Sequence, residues 1–201
     1  MGIRAAQRAG TRALLVETGV GLLIERGYAG FTTVAVQKAS GLSRGALLHH
    51  FPTRDALIAA VIGRLLETHE AAAREALRHV APDGDRVSGA IDAMYAVMRR
   101  PAFAAQLELW TAARTDPDLR RLVAQEERRS GHDLARVVDD LFGPDVAGHQ
   151  RFRSIARLTV QVLRGLALTD VLREDDATAR NALDDWAGIV HQLLATQEVV
   201  P

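Results

Sequence analysis

Gly27–Leu57 reads GYAGFTTVAVQKASGLSRGALLHHFPTRDAL, and this stretch decides the fold. Two short apolar-periodic segments flank a three-residue turn, Gly41-Leu42-Ser43. Gly supplies the left-handed backbone that ends one helix, and Ser is a preferred N-cap for the next. Thr32 or Thr33 can cap the first segment, which ends near Ser40; the second runs from Arg44 to His50 and is stopped by Phe51-Pro52-Thr53. Two short helices joined in this way follow the helix-turn-helix plan, in which the second helix enters the DNA major groove and reads it with its N-terminal residues. Those residues here are Ser43, Arg44, Gly45 and Ala46. Arg44 is the long donor among them and suits bidentate reading of guanine, while the Ala46 methyl suits a thymine methyl. His49 and His50 at the far end, and Arg54 opening the next helix, are placed to donate to phosphate.

Outward from this stretch, apolar residues recur at three and four and alternating β-branched runs are absent, which predicts an all-α chain of about nine helices. The first helix is expected over Thr11–Arg26 with Gly27 as its left-handed cap, and Gly19 and Gly21 inside it are read as sites of close packing. After the two short helices come Arg54–Val80, Arg86–Arg100, Phe103–Arg114, Asp118–Phe142, Asp145–Leu172 and Thr178–Gln197, separated by short Pro/Gly turns such as Pro82-Asp83-Gly84-Asp85. The expected organisation is a three-helix helix-turn-helix domain over residues 1–54, a connecting helix over 54–80, and a larger helical domain over 81–201 for ligand sensing and dimerisation.

Composition bounds the function. The chain has 201 residues, 48% hydrophobic and 25% charged, which excludes a disordered or collagenous chain. Cysteine is absent, so disulfides and thiolate metal sites are excluded. No apolar run is long enough to span a membrane and no secretory leader is visible, so a cytoplasmic location is expected. The net charge of zero is a sum of opposed parts: residues 1–54 carry seven cations and two anions, and residues 55–201 carry 18 cations and 23 anions. The basic part coincides with the helix-turn-helix, as a DNA-binding surface requires. Twenty-four of the 25 cations are Arg, whose fork fits phosphate and guanine. Arg4, Arg8 and Arg12 could form a basic face or an arm along DNA, but a solvated terminus is the expectation.

The N-terminal quarter resembles the DNA-binding domain of the TetR-family transcriptional regulators. The resemblance rests on Gly27-Tyr28, Thr32-Thr33, Val36, Gly41-Leu42-Ser43, Leu47, His50-Phe51, Arg54-Asp55 and Leu57, which match without a gap. It implies that Thr33, Ser43 and Arg54 hold backbone phosphate and that Arg44 reads a base. The chain departs from the family pattern at Leu48, where a phosphate-holding tyrosine is usual, at Gln37, where a small residue is usual, and at Ala35, where an acid is common. Loss of the tyrosine leaves His49 or His50 to compensate.

The last two helices carry broad apolar faces, with Ile155, Val162 and Leu166 on one and Leu183, Trp186, Val190 and Leu194 on the other. Such faces need cover on two sides, from neighbouring helices of the same chain or from a homodimer four-helix bundle, and the dimer is favoured because reading a palindrome needs two recognition helices; the family resemblance implies the same interface. On the middle helices Glu126 and Ser130 interrupt an apolar stripe, and Met94, Tyr95, Met98, Phe103 and Trp110 with them are either simply core or the lining of a site for a largely apolar small molecule. No catalytic or metal-ligand constellation is present, and neither an enzyme nor a cofactor is expected. The resulting expectation is a repressor that binds a palindromic operator as a homodimer and is released by a small molecule, with helix 54–80 as the moving element. The alternative is a helical small-molecule-binding or adaptor protein that has lost DNA binding.

Overall fold

The computed structural model describes residues 2–81, 84–172 and 175–196, without the side chains of Ile3, Arg4 and Val171. The expected linker residues Pro82 and Asp83, and the expected helix end at Gln197, lie outside the described residues. Among the described residues there are nine α-helices and no strand: α1 Ile3–Gly30, α2 Thr33–Ser40, α3 Arg44–His50, α4 Arg54–Leu77, α5 Arg86–Met98, α6 Pro101–Ala112, α7 Pro117–Ala147, α8 Phe152–Thr169 and α9 Ala177–Ala195. The first helix begins well before Thr11, so Arg8 as well as Arg12 stands on it rather than on an irregular terminus. Pro101 opens α6 instead of only ending the helix before it, as proline at a first helical position does. Gly143, at φ 80°, bends α7, and the next helix starts at Phe152 rather than Asp145.

Contacts divide the chain into two compact units. Of the described residues, one unit contains those up to His69 together with Pro101–Gly131, and the other contains those from Glu70 to Arg100 and from His132 onward. The expected division at residue 81 differs from this grouping because α6 and the first half of α7 pack with the helix-turn-helix. In the first unit Leu15, Leu22 and Leu23 of α1 meet Val36 of α2, Leu47 of α3 and Leu57, Val61 and Leu65 of α4 in one buried core. Leu109 of α6 and Leu119 and Val123 of α7 belong to the same core. Gly19 permits this approach of α1 and α4, since a Cβ there would lie 2.5 Å from a Val61 methyl.

In the second unit Ile91, Met94 and Tyr95 of α5, Leu141 and Phe142 of α7, Phe152, Ile155 and Leu163 of α8, and Leu183 and Val190 of α9 form the core. Two polar groups are satisfied inside it: the Trp186 indole donates to buried Thr159 at 3.0 Å, and the Tyr95 hydroxyl donates to Asp170 at 2.7 Å. Ile155, Leu183 and Val190 were expected at a subunit interface, but the chain's own core already covers them. The apolar face left open carries Leu158, 48% exposed, and Ile189, 45% exposed. Val162, Leu166, Trp186 and Leu194 are half-buried. Helical period alone gives a stripe without its inward direction, and this is why Ile155, Leu183 and Val190 read as interface residues although the core takes them.

Asp85 joins α5 to α9. Its carboxylate caps α5, accepting from the Val87 and Ser88 amides and the Ser88 hydroxyl, and it lies 3.0 Å from Nε2 of His191. Desolvation raises its pKa, but the Ser88 and His191 hydrogen bonds prevail and hold it at about 2. A depressed carboxylate contributes stability above its unfolded value of about 4, and that contribution fades as pH falls toward 2. Asp85→Ala is expected to cost about 0.5–2 kcal/mol as a lost N-cap. Urea midpoints measured from pH 6 to 2 should show a shallower acid decline for the variant than for the wild type.

Candidate nucleic-acid interface

Each short helix is built from local capping. The Thr32 hydroxyl, not that of Thr33, accepts from the Ala35 amide at 3.0 Å and starts α2. Gly41, at φ 69° and ψ 8°, ends α2 in the left-handed conformation that only glycine adopts without strain. The Gln37 side-chain amide donates to the Leu42 carbonyl at 3.2 Å, so the departure at this position braces the turn. Ser43 Oγ accepts from the Ala46 amide at 3.1 Å and starts α3, which leaves the hydroxyl proton able to donate to an outside acceptor.

Packing then orients α3. Leu47 and Phe51 are buried with Val36 in the core of the first unit. Four residues span about one helical turn, so fixing Leu47 and Phe51 inward turns Gly45 and His49 outward and leaves Leu48 on an open flank, while Arg44 is exposed as the first residue of the helix, with no preceding turn to cover it. Ala46 and His50 are half-buried on the flank. Thr33 is half-buried on α2, and Thr53 Oγ1 accepts from the Ala56 amide at the start of α4.

A cluster of basic side chains surrounds this helix. The Arg12 guanidinium lies over the Phe51 ring at 5.1 Å, which brings α1 beside the end of α3. The His49 and His50 rings meet edge to face at 5.3 Å. Partial burial, followed by the charges of His49, Arg8 and Arg12, lowers the His50 pKa from its ordinary value. These groups make a patch suited to phosphate, and Arg8 and Arg12 are members of it that spacing alone did not assign. Their membership depends on α1 being helical this far toward the N-terminus.

Arg54 sits over the Tyr28 ring at 5.3 Å. Tyr28 is a junction: its amide donates to Glu108 of α6 at 3.1 Å, and its hydroxyl donates to Asp116 at 3.2 Å. Gly27 makes room for this, with φ 65° and a Cβ position that would overlap a Glu108 carboxylate oxygen. It therefore has the positive φ expected of it but with ψ near 180°, so the chain bends without a left-handed cap.

The residues expected at a ligand site fall into two groups. Met94 and Tyr95 are buried in the core of the second unit and Met98 is half-buried beside them. Phe103, Trp110, Glu126 and Ser130 belong to the first unit, where the Phe103 and Trp110 rings meet at 6.1 Å. The Trp110 indole and the Gln106 amide both donate to Glu127 Oε1, at 2.7 and 2.8 Å, and Glu126 pairs with Arg129. Trp110, Ala113, Arg114, Val123 and Glu127 line a cleft of about 550 Å³. His69 is buried against Phe103, with ring centroids 5.7 Å apart. Burial lowers its pKa against the opposing hydrogen bonds to the Ala102 backbone and Gln106. Gln106, Glu127 and His69 were not expected here, because polar residues on amphipathic helices read as solvated until their neighbours are known. Among the described residues no group of His, Asp and Glu is arranged to hold a metal ion, and no helix is long and apolar enough to cross a membrane.

Residues 15–61 match the family model for bacterial regulatory proteins of the tetR family. The HTH-type transcriptional regulator CymR of Pseudomonas putida is 31% identical over 169 residues, covering 82% of this chain and 81% of that protein. The chain belongs to the tetR family of bacterial regulatory proteins. It is a transcriptional regulator with a helix-turn-helix DNA-binding domain, and not an enzyme. Solved structures share the fold: a TetR-family regulator from Cytophaga hutchinsonii superposes with a TM-score of 0.71 at 13% identity, covering 95% of this chain and 98% of that one. The multidrug binding protein EbrR, solved with proflavin, gives a TM-score of 0.60 at 20% identity, covering 91% and 99%.

In this regulator, Gly27→Ala is expected to destabilise the first unit by about 1–3 kcal/mol, the cost of a side chain at a strained positive φ. The clash with Glu108 adds to that cost. Chemical denaturation of wild type and variant measures the loss, and Glu108→Ala in the same chain should recover part of it.

Proposed function

We propose that this regulator is a homodimeric repressor that binds a palindromic operator with one α3 in each half-site and is released by a small molecule. The observation that carries the reading is the outward face of α3, where Arg44, Gly45 and His49 stand exposed beside Arg8, Arg12 and His50. Arg44 reads guanine from the first turn of α3, with Gly45 and Ala46 allowing close approach. Ser43, Thr33, His49, His50 and Arg54 hold phosphate. The second copy packs on the open face of α8 and α9 through Leu158, Val162, Leu166, Trp186, Ile189 and Leu194. Such a dimer sets two recognition helices one turn of DNA apart, or a multiple. The protein works in the cytoplasm, where its operator is.

The effector is a largely apolar molecule bound in the first unit beside Phe103 and Trp110. The Tyr28 contacts to Glu108 and Asp116 tie α6 to the end of α1, so displacing α6 also moves the helix-turn-helix. Ligand must favour the DNA-incompetent arrangement, since equal affinity for both would shift nothing. A coupling of about 1–3 kcal/mol lowers operator affinity about 5–150-fold.

Selection of fragments from genomic DNA, followed by footprinting at several salt concentrations, tests the reading; a palindromic protected site is expected, and no enriched site would refute it. Arg44→Ala should cost about 1–3 kcal/mol on the selected operator and relax one base position, with little loss on random DNA. His50 gives a pH dependence. Partial burial, and then its basic neighbours, hold the free imidazole below its ordinary value of 6.5, whereas a nearby phosphate favours the cation, so DNA binding takes up a proton. Operator affinity should rise as pH falls from about 7 toward 5, and His50→Gln should flatten that slope in fluorescence-anisotropy titrations. Leu158→Glu with Ile189→Glu should yield monomers in analytical ultracentrifugation and weaken operator binding.

A further inference from the structure

We propose that Leu48 reads a thymine methyl in the major groove and so determines part of the operator sequence. The proposal rests on the reading of α3 as the groove-facing helix. Leu47 and Phe51 already close the core beneath α3, while Leu48 is 44% exposed. It is the one large apolar side chain on an outward surface that otherwise presents Arg44, Gly45 and His49. A leucine has neither donor nor charge, so it cannot hold a phosphate or a polar base edge. The apolar feature that B-DNA offers in the major groove is the thymine C5 methyl. Contact between the two removes apolar surface from water on both sides, and cytosine, with only hydrogen at C5, returns less of that gain.

Charge around the helix makes this exchange of roles workable. Arg12 lies over Phe51 at the end of α3, and Arg8 and Arg12 both act on His50, so guanidinium groups for phosphate stand beside α3 without a hydroxyl at position 48. Arg44 and Leu48 are four residues apart and share a face. One turn of α3 separates them by about 6 Å along the axis. With base pairs about 3.4 Å apart, the thymine lies about two base pairs from the guanine read by Arg44.

The test uses the full-length protein and operators selected from genomic DNA. Each thymine of one half-site is replaced in turn by deoxyuridine, which deletes the methyl and leaves every hydrogen-bonding group in place. At one thymine near the Arg44 guanine, wild-type affinity should fall about fourfold, which corresponds to about 0.8 kcal/mol for a buried methyl-sized group. Leu48→Ala should bind the thymine and uracil forms alike while keeping the guanine preference, and Leu48→Met, which retains apolar reach, should keep the sensitivity. An undiminished fourfold loss in Leu48→Ala overturns the proposal. Loss of guanine discrimination in Leu48→Ala also overturns it, because Leu48 would then position the helix rather than read a base. Enrichment of a site with no uracil-sensitive thymine refutes the Leu48 assignment alone, whereas a selection that enriches no site refutes the groove reading and the assignment with it.

Discussion

The burial of Leu47 and Phe51 is the constraint on which the DNA-reading surface depends. A seven-residue helix has no independent stability in water, because its nucleation cost exceeds what so few hydrogen bonds return. The Ser43 cap starts α3, but only the apolar contacts with Val36 and the helices α1 and α4 keep it formed and hold its rotation. Once the inward side is fixed, the outward side follows from helical geometry. Leu48 and His49 are presented because their neighbours are buried, and Arg44 because it opens the helix.

The same core reaches further than the three-helix motif. Leu109 of α6 and Leu119 and Val123 of α7 are part of it, and Tyr28 adds hydrogen bonds to Glu108 and Asp116. The reading head and the helices that carry Phe103 and Trp110 are therefore one compact unit. A change at those aromatic residues does not have to travel through α4 to reach the DNA-binding surface. Gly27 has a place in this economy of space, since a side chain there would occupy the position of the Glu108 carboxylate.

Much of the fold was legible because its signals are local. Gly41 and Ser43 mark a turn whatever surrounds them, and the bounds of α3 follow from Ser43 and Phe51-Pro52. Other features depended on distant partners. Ile155 and Leu158 lie on the same helix, and the sequence alone does not say which of them the core takes. Gln106, Glu127 and His69 look like solvated polar residues in one dimension, yet they meet around Phe103 and Trp110. Arg8 reads as a loose terminus until a longer α1 brings it, with Arg12, to His50.

By itself the sequence determined an all-helical regulator with a basic reading head, because capping residues, helical periodicity and charge distribution are properties of neighbouring residues. Its positions also carried the family resemblance. The tertiary structure alone decided which face of each helix is inward, that α6 and the first half of α7 join the reading head, and that Leu48 stands outward beside Arg44. These are outcomes of packing between residues far apart in the chain, where one apolar side chain takes a buried place and thereby leaves its neighbour to solvent or to a partner.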